Sequence, residues 1–150
     1  MSLINSVFRF AKYKDKLPYV GVVKLQIEIT RENALEIVEN YSGEGWIGQG
    51  CIESISEKGY KSWKIGIRRG IEYAYYKLKN SDHLKVTIQE AEGMTTDTNP
   101  TILAFVASRA ILNKLDHFES KEEFQLLENL MYTSWDYELD ALPDFHSFYN

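Results

Sequence analysis

The stretch from Tyr60 to Lys79, YKSWKIGIRRGIEYAYYKLK, decides the fold. Trp63, Ile67, Ile71, Ala74, Tyr75 and Leu78 recur at 3.6-residue spacing, so a long helix is expected with one apolar face laid flat on a sheet. Gly66, Gly70 and Ala74 stand four apart on the same helix, a narrow stripe along which another backbone can come close. Each glycine costs about 1 kcal/mol of helix propensity, so something has to press against the stripe to offset the loss.

Strands are expected on either side of this helix. Beyond the break at Asn80-Ser81-Asp82, His83 to Glu92 alternates, with Leu84, Val86 and Ile88 on one face and Lys85, Thr87 and Gln89 on the other. Val20 to Thr30 is the clearest strand, with Lys24, Gln26 and Glu28 set against Val23, Leu25, Ile27 and Ile29. Ser6 to Tyr13 places Phe8 and Phe10 about Arg9, which suits a strand with one wet face. Ala34, Ile37, Val38 and Tyr41 recur at helical spacing after Thr30, so a short helix is expected there, and Cys51 to Ser56 reads as extended. Pro100 fits the first position of an alanine-rich helix capped by Asn99 or Thr98. Ser120-Lys121-Glu122-Glu123 is a capping box that opens a last helix, with Phe118 and Phe124 placed to staple across it.

At 150 residues, 44% of them hydrophobic, the chain reads as a single domain, long enough to bury roughly 70% of its unfolded surface. Positions 6–115 form its core and 116–150 an acidic C-terminal helix and tail. The chain has no run of about 18 apolar residues and no leader pattern at its start, so a cytoplasmic protein without a membrane partner is expected. Cys51 is the sole cysteine, which rules out an internal disulfide and a thiolate metal cluster.

Catalytic signatures are weak. Gly43-Glu44-Gly45-Trp46-Ile47-Gly48 matches G-x-G-x-x-G, but a dinucleotide site needs a strand before the motif and a helix opening at its end. A helix is expected before it and an extended segment after it, so these read as loop glycines. No G-x-x-x-x-G-K-[ST] phosphate loop occurs, His83, His117 and His146 lack ligand spacing, and Asp97 reads as a helix cap. The expectation is a protein that is not an enzyme and holds no cofactor.

Several of these stretches resemble the fourth domain of translation elongation factor G, within the superfamily typified by the second domain of ribosomal protein S5. Ser6 to Tyr13 resembles its opening strand, Val20 to Thr30 its second, and Ile65-Gly66-Ile67-Arg68-Arg69-Gly70-Ile71-Glu72 its glycine-containing long helix. Leu84 to Glu90 is similar to its next strand and Thr95 to Ala110 to its last helix, so the resemblance covers Ser6 to Leu115. It implies an α+β fold, a two-layer sandwich of one four-stranded sheet packed by two main helices. The C-terminal helix and tail have no counterpart. Leu17-Pro18-Tyr19-Val20-Gly21 also lacks the glycine-rich segment that the factor carries before its second strand.

Charge suggests where a partner would bind. Nine acids against Lys121 alone give positions 116–150 a charge of −8, which leaves +3 on positions 1–115 within the total of −5. The long helix carries Lys61, Lys64, Arg68, Arg69 and Lys77, interleaved with Tyr60, Tyr73 and Tyr76, as an expected basic outer face. The tail combines Trp135 and Tyr137 with acids and could fold over that helix or present anchors to a partner. Lys61, Lys64, Arg68, Arg69, Tyr76, Trp135 and Tyr137 are therefore the expected binding residues. A protein or nucleoprotein partner leads; an accessory translation factor that binds RNA or the ribosome is the alternative.

Overall fold

Alternation in the longest strand sets the two layers. In the computed structural model, which describes residues 3–31, 34–78, 83–137 and 142, strand β2 (Leu17–Thr30) buries Val23, Leu25 and Ile27 and turns Lys24, Gln26 and Glu28 to the other face. It lies between β1 (Leu3–Lys14) and β5 (His83–Gly93), antiparallel to both. β3 (Leu35–Glu39) pairs in parallel with the far side of β5, giving the order β1-β2-β5-β3, and the two-residue β4 (Glu53–Ser54) pairs with the end of β5. The result is an α+β sandwich of a sheet with four principal strands and a helical layer on one face.

A register shift keeps β5 in phase with this core. Lys24 pairs with Glu90 and Leu25 with Ile88, so Gln89 is an extra residue in the ladder. The buried row therefore runs Leu84, Val86, Ile88 and then Ala91 and Gly93. Without the bulge, Ala91 would point to the wet face.

The helical layer is built around α2 (Pro100–Leu112), all 13 residues of which are buried. Asn99 caps it, its Oδ1 accepting from the Ile102 backbone at 2.9 Å. Helix α2 rests on β1 and β2, with α1 (Lys61–Leu78) on one side and α3 (Lys121–Tyr132) on the other. Gly66 faces Pro100 and Gly70 faces Ala104. A methyl group at Gly70 would fall 2.8 Å from the Ala104 carbonyl carbon, so the backbones touch along the stripe. Helix α3 is capped by Ser120, whose Oγ accepts from the Glu123 backbone at 3.2 Å, and it adds Leu127 and Met131 to the same core. A 3-10 turn (Ser134–Asp136) follows.

Three expectations are corrected. The short helix expected after Thr30 is strand β3, because Leu35 and Ile37 take up the parallel ladder offered by Leu84 and Val86, and Ile37 and Val38 are β-branched. Asp97 does not cap α2; its carbonyl accepts from the Val20 backbone at 2.9 Å and Asn99 does the capping. The staple stays open, since Phe118 is 68% exposed. The break at 80–82 and the tail at 138–141 and 143–150 lie outside the described residues.

The glycine stripe gives a direct test. Gly70→Ala is expected to lower the unfolding free energy by about 2 kcal/mol, because overpacking against a backbone carbonyl outweighs the propensity gain of about 1 kcal/mol. Urea unfolding beside a Gly48→Ala control, where the nearest atom to an added methyl is Cys51 Sγ at 3.6 Å, measures it. Equal stability of Gly70→Ala and the unaltered chain would rule out the backbone contact.

Candidate interaction surfaces

Most cations expected on the outer face of α1 are paired within the fold. Lys64 Nζ donates to the Glu57 carbonyl at 2.7 Å and lies 5.0 Å from the centre of the Tyr41 ring. Arg68 reaches Glu39 of β3 at 3.0 Å and Arg69 reaches Glu72 at 3.3 Å. Lys77 does not face outward as expected. It is 5% exposed, and its ammonium meets Glu123 of α3 at 2.6 Å. Tyr73 is fully buried. The exposed stripe of α1 is Lys61, Ile65, Arg69 and Tyr76, too sparsely charged to track a phosphate backbone.

The aromatic residues after α3 are anchors of the fold. The Trp135 indole donates to the Pro18 carbonyl at 2.7 Å, and Asn99 donates to the Ser134 hydroxyl at 2.9 Å. Tyr137 stays half-exposed at the end of the 3-10 turn. Leu142 lines a shallow pocket with Tyr60, Lys61, Ser62 and Ile65 at the start of α1. Trp135 is thus at the hairpin while Lys61 shares its pocket with Leu142, and the expected binding residues do not form one surface.

A buried carboxylate lies on the strand against which the glycine-rich loop closes. Glu53 of β4 accepts from the Tyr60 hydroxyl at one oxygen and from Thr95 at the other, the latter at 3.0 Å. Burial, the bond to Glu53 and its charge all push the Tyr60 pKa upward. Gly43 and Gly45 donate to the carbonyls of Ile55 and Ser54, so the loop closes on β4. A strand precedes the motif, contrary to the expected helix, yet β4 and no helix follows its last glycine. A phosphate would therefore find no helix N-terminus there. Among the described residues, His, Cys, Asp and Glu form no group that could hold a metal.

One apolar groove was not singled out by sequence. A groove of about 500 Å³ runs between β1, the second half of α2 and α3. Phe8, Phe10, Phe105, Phe118 and Phe124 line it, with the rings of Phe10 and Phe105 5.4 Å apart and those of Phe105 and Phe124 6.2 Å apart. At its end Arg109, 4% exposed, makes a bidentate pair with Glu119, whose side chain is 1% exposed. Tyr73 donates to the same carboxylate at 2.6 Å, and the guanidinium stacks 5.0 Å from the centre of Phe124. The signal available in sequence was Phe8 and Phe10 at strand spacing together with the open staple of Phe118 and Phe124; the topology that joins them was not.

No family model and no curated protein matches the chain. Among solved structures it is similar to the crystal structure of ttk003000868 from Thermus thermophilus, with a TM-score of 0.55 and 13% sequence identity. The likeness covers 89% of this chain and 21% of that one, so this chain spans about a fifth of that protein's length. At that identity the likeness concerns the fold alone, and the class defined here is the two-layer α+β sandwich. Among the described residues no helix is long and apolar enough to cross a membrane.

The ion pair predicts an acid response. Burial alone would raise the Glu119 pKa, but the bonds from Arg109 and Tyr73 and the charge of Arg109 hold it below the usual carboxylate value. A depressed folded pKa adds stability that is full above about pH 4.3 and lost as pH falls through the folded value. Glu119→Gln should flatten this part of the stability profile in urea titrations. Glu119→Ala, which strands the buried Arg109, should cost about 3 kcal/mol at neutral pH. An unchanged acid limb in Glu119→Gln would assign the response to other carboxylates.

Proposed function

We propose that the chain is a non-enzymatic binding module of the cytoplasm that recognises a protein or nucleoprotein partner through the aromatic groove between β1 and α3. The observation that carries this reading is the groove itself. Five phenylalanines converge on it and Phe118 stands 68% exposed at its rim, an arrangement that suits an apolar anchor from a partner. The internal pairing of Lys64, Arg68, Arg69 and Lys77 supports a protein over a polyanion.

We also propose that the core is a detached, divergent relative of elongation factor G domain IV. The element order and the glycine stripe pressed against α2 support this. On that relation rests the second reading, an accessory factor that binds RNA or the ribosome. It is favoured by the β1–β2 hairpin end, where Lys12, Tyr13 and Lys16 are exposed.

Affinity capture from extract of the source cells separates the two. The intact chain and Phe118→Asp would serve as bait, each with and without RNase and raised salt. A stoichiometric protein that survives both treatments and is lost with Phe118→Asp is expected. Capture of ribosomal components that RNase abolishes, with Phe118→Asp behaving as the unaltered chain, would overturn the groove reading in favour of the second.

A further inference from the structure

We propose that the free edge of β1, together with the groove beside it, takes up an extended acidic segment of a protein partner as an added strand. The proposal deepens, and rests on, the reading of the groove as a docking surface.

Among the described residues, sheet order leaves β1 paired on one side only, so its 12 residues present a long row of backbone donors and acceptors. Natural edges of such length are commonly shortened, bulged or covered; an open one is a template for another strand. Side chains on β1 alternate, and the row on the helical side runs Phe8, Phe10, Lys12 and Lys14. Phe10 lies 6.5 Å from the Tyr132 ring of α3, and the Lys14 ammonium lies 4.3 Å from the same ring, which places both on the groove side. An added strand would therefore meet an apolar half and then a cationic half.

Charge selects the occupant. Strand β1 contains Arg9, Lys12 and Lys14 and no acid. Arg9 points to the opposite face, where it comes within 3.9 Å of Glu92 and stays largely exposed. On the groove wall Glu119 is neutralised by Arg109, and the charge of Glu128 is offset by that of Lys121. A second copy paired through the same strand would bring no carboxylate from its own β1 opposite Lys12 or Lys14. An acidic segment, with apolar residues opposite Phe8 and Phe10 and carboxylates opposite Lys12 and Lys14, meets both halves.

The probe is a fluorescein-labelled ten-residue peptide whose first half alternates phenylalanine with threonine and whose second half alternates aspartate with threonine. With the full chain, fluorescence anisotropy should show saturable binding. Affinity should fall by about tenfold or more when alternate peptide amides are N-methylated, when lysine replaces aspartate, or when the chain carries Lys12→Glu. Hydrogen exchange of β1 backbone amides should slow in the complex. Both Lys12 and Phe118 are exposed, so their variants should keep the far-ultraviolet spectrum of the unaltered chain.

Equal binding of the N-methylated peptide, or unprotected β1 amides, would overturn strand addition; the groove reading would survive if Phe118→Asp still abolished binding. Loss of the groove reading itself would show as probe binding, or partner capture, indifferent to Phe118→Asp. A dimer by sedimentation whose contact protects β1 would assign the edge to a second copy. A monomer with β1 amides protected before probe is added would assign it to the chain's own acidic tail. Either result overturns the external partner.

Discussion

Two helix backbones can touch only where side chains are missing, and Gly66 and Gly70 supply that absence against Pro100 and Ala104. The contact lets α2 sink fully between the sheet, α1 and α3, so that a 13-residue helix has no wet face. Burial of α2 in turn forces a partner on its one cation. Without Glu119 the guanidinium of Arg109 would be a buried charge with no carboxylate beside it, and the loop after α2 brings that carboxylate back over the helix end. Loop course, start of α3 and position of the aromatic groove thus follow from two glycines on a different helix.

The same logic explains which parts of the molecule were legible in sequence. Strand β2, helix α1, helix α2 and the α3 cap were readable because periodicity and capping chemistry are local. The glycine stripe was readable too, because two glycines inside a helix demand a reason. Residues 34–41 were not: their apolar spacing satisfies both a helix and a strand, and the deciding factor was the open side of β5, whose paired residues come 49 positions later. Lys77 and Tyr73 were assigned to a wet basic face because sequence cannot tell which flank of a helix a third helix will cover.

The candidate site was less legible for a related reason. Charges that are adjacent in sequence look like a patch, but their value as a patch depends on acids that are distant in sequence. Glu39, Glu123 and Glu57 come from three other segments, and each takes one cation of α1 out of play through its side chain or backbone. The exposed pair of Arg68 with Glu39 contributes little stability, about 0–1 kcal/mol, yet it reduces the field that a polyanion would feel. Trp135 shows the converse. An aromatic residue in an acidic tail reads as an anchor for a partner, and here its indole is already spent on Pro18.

The two edges of the sheet make the remaining asymmetry plain. β3 is five residues long, carries Glu36 and Glu39, and has Arg68 folded onto its end, so it offers little to another strand. β1 is more than twice as long and has neither a bulge nor a proline among its 12 residues. Charges protect an edge when they would be buried unpaired by an incoming strand. On the groove-side row of β1, Lys12 and Lys14 would disfavour a basic strand while leaving an acidic one matched. The protection of this edge is therefore selective by charge, and selectivity is what separates a docking edge from an aggregation hazard.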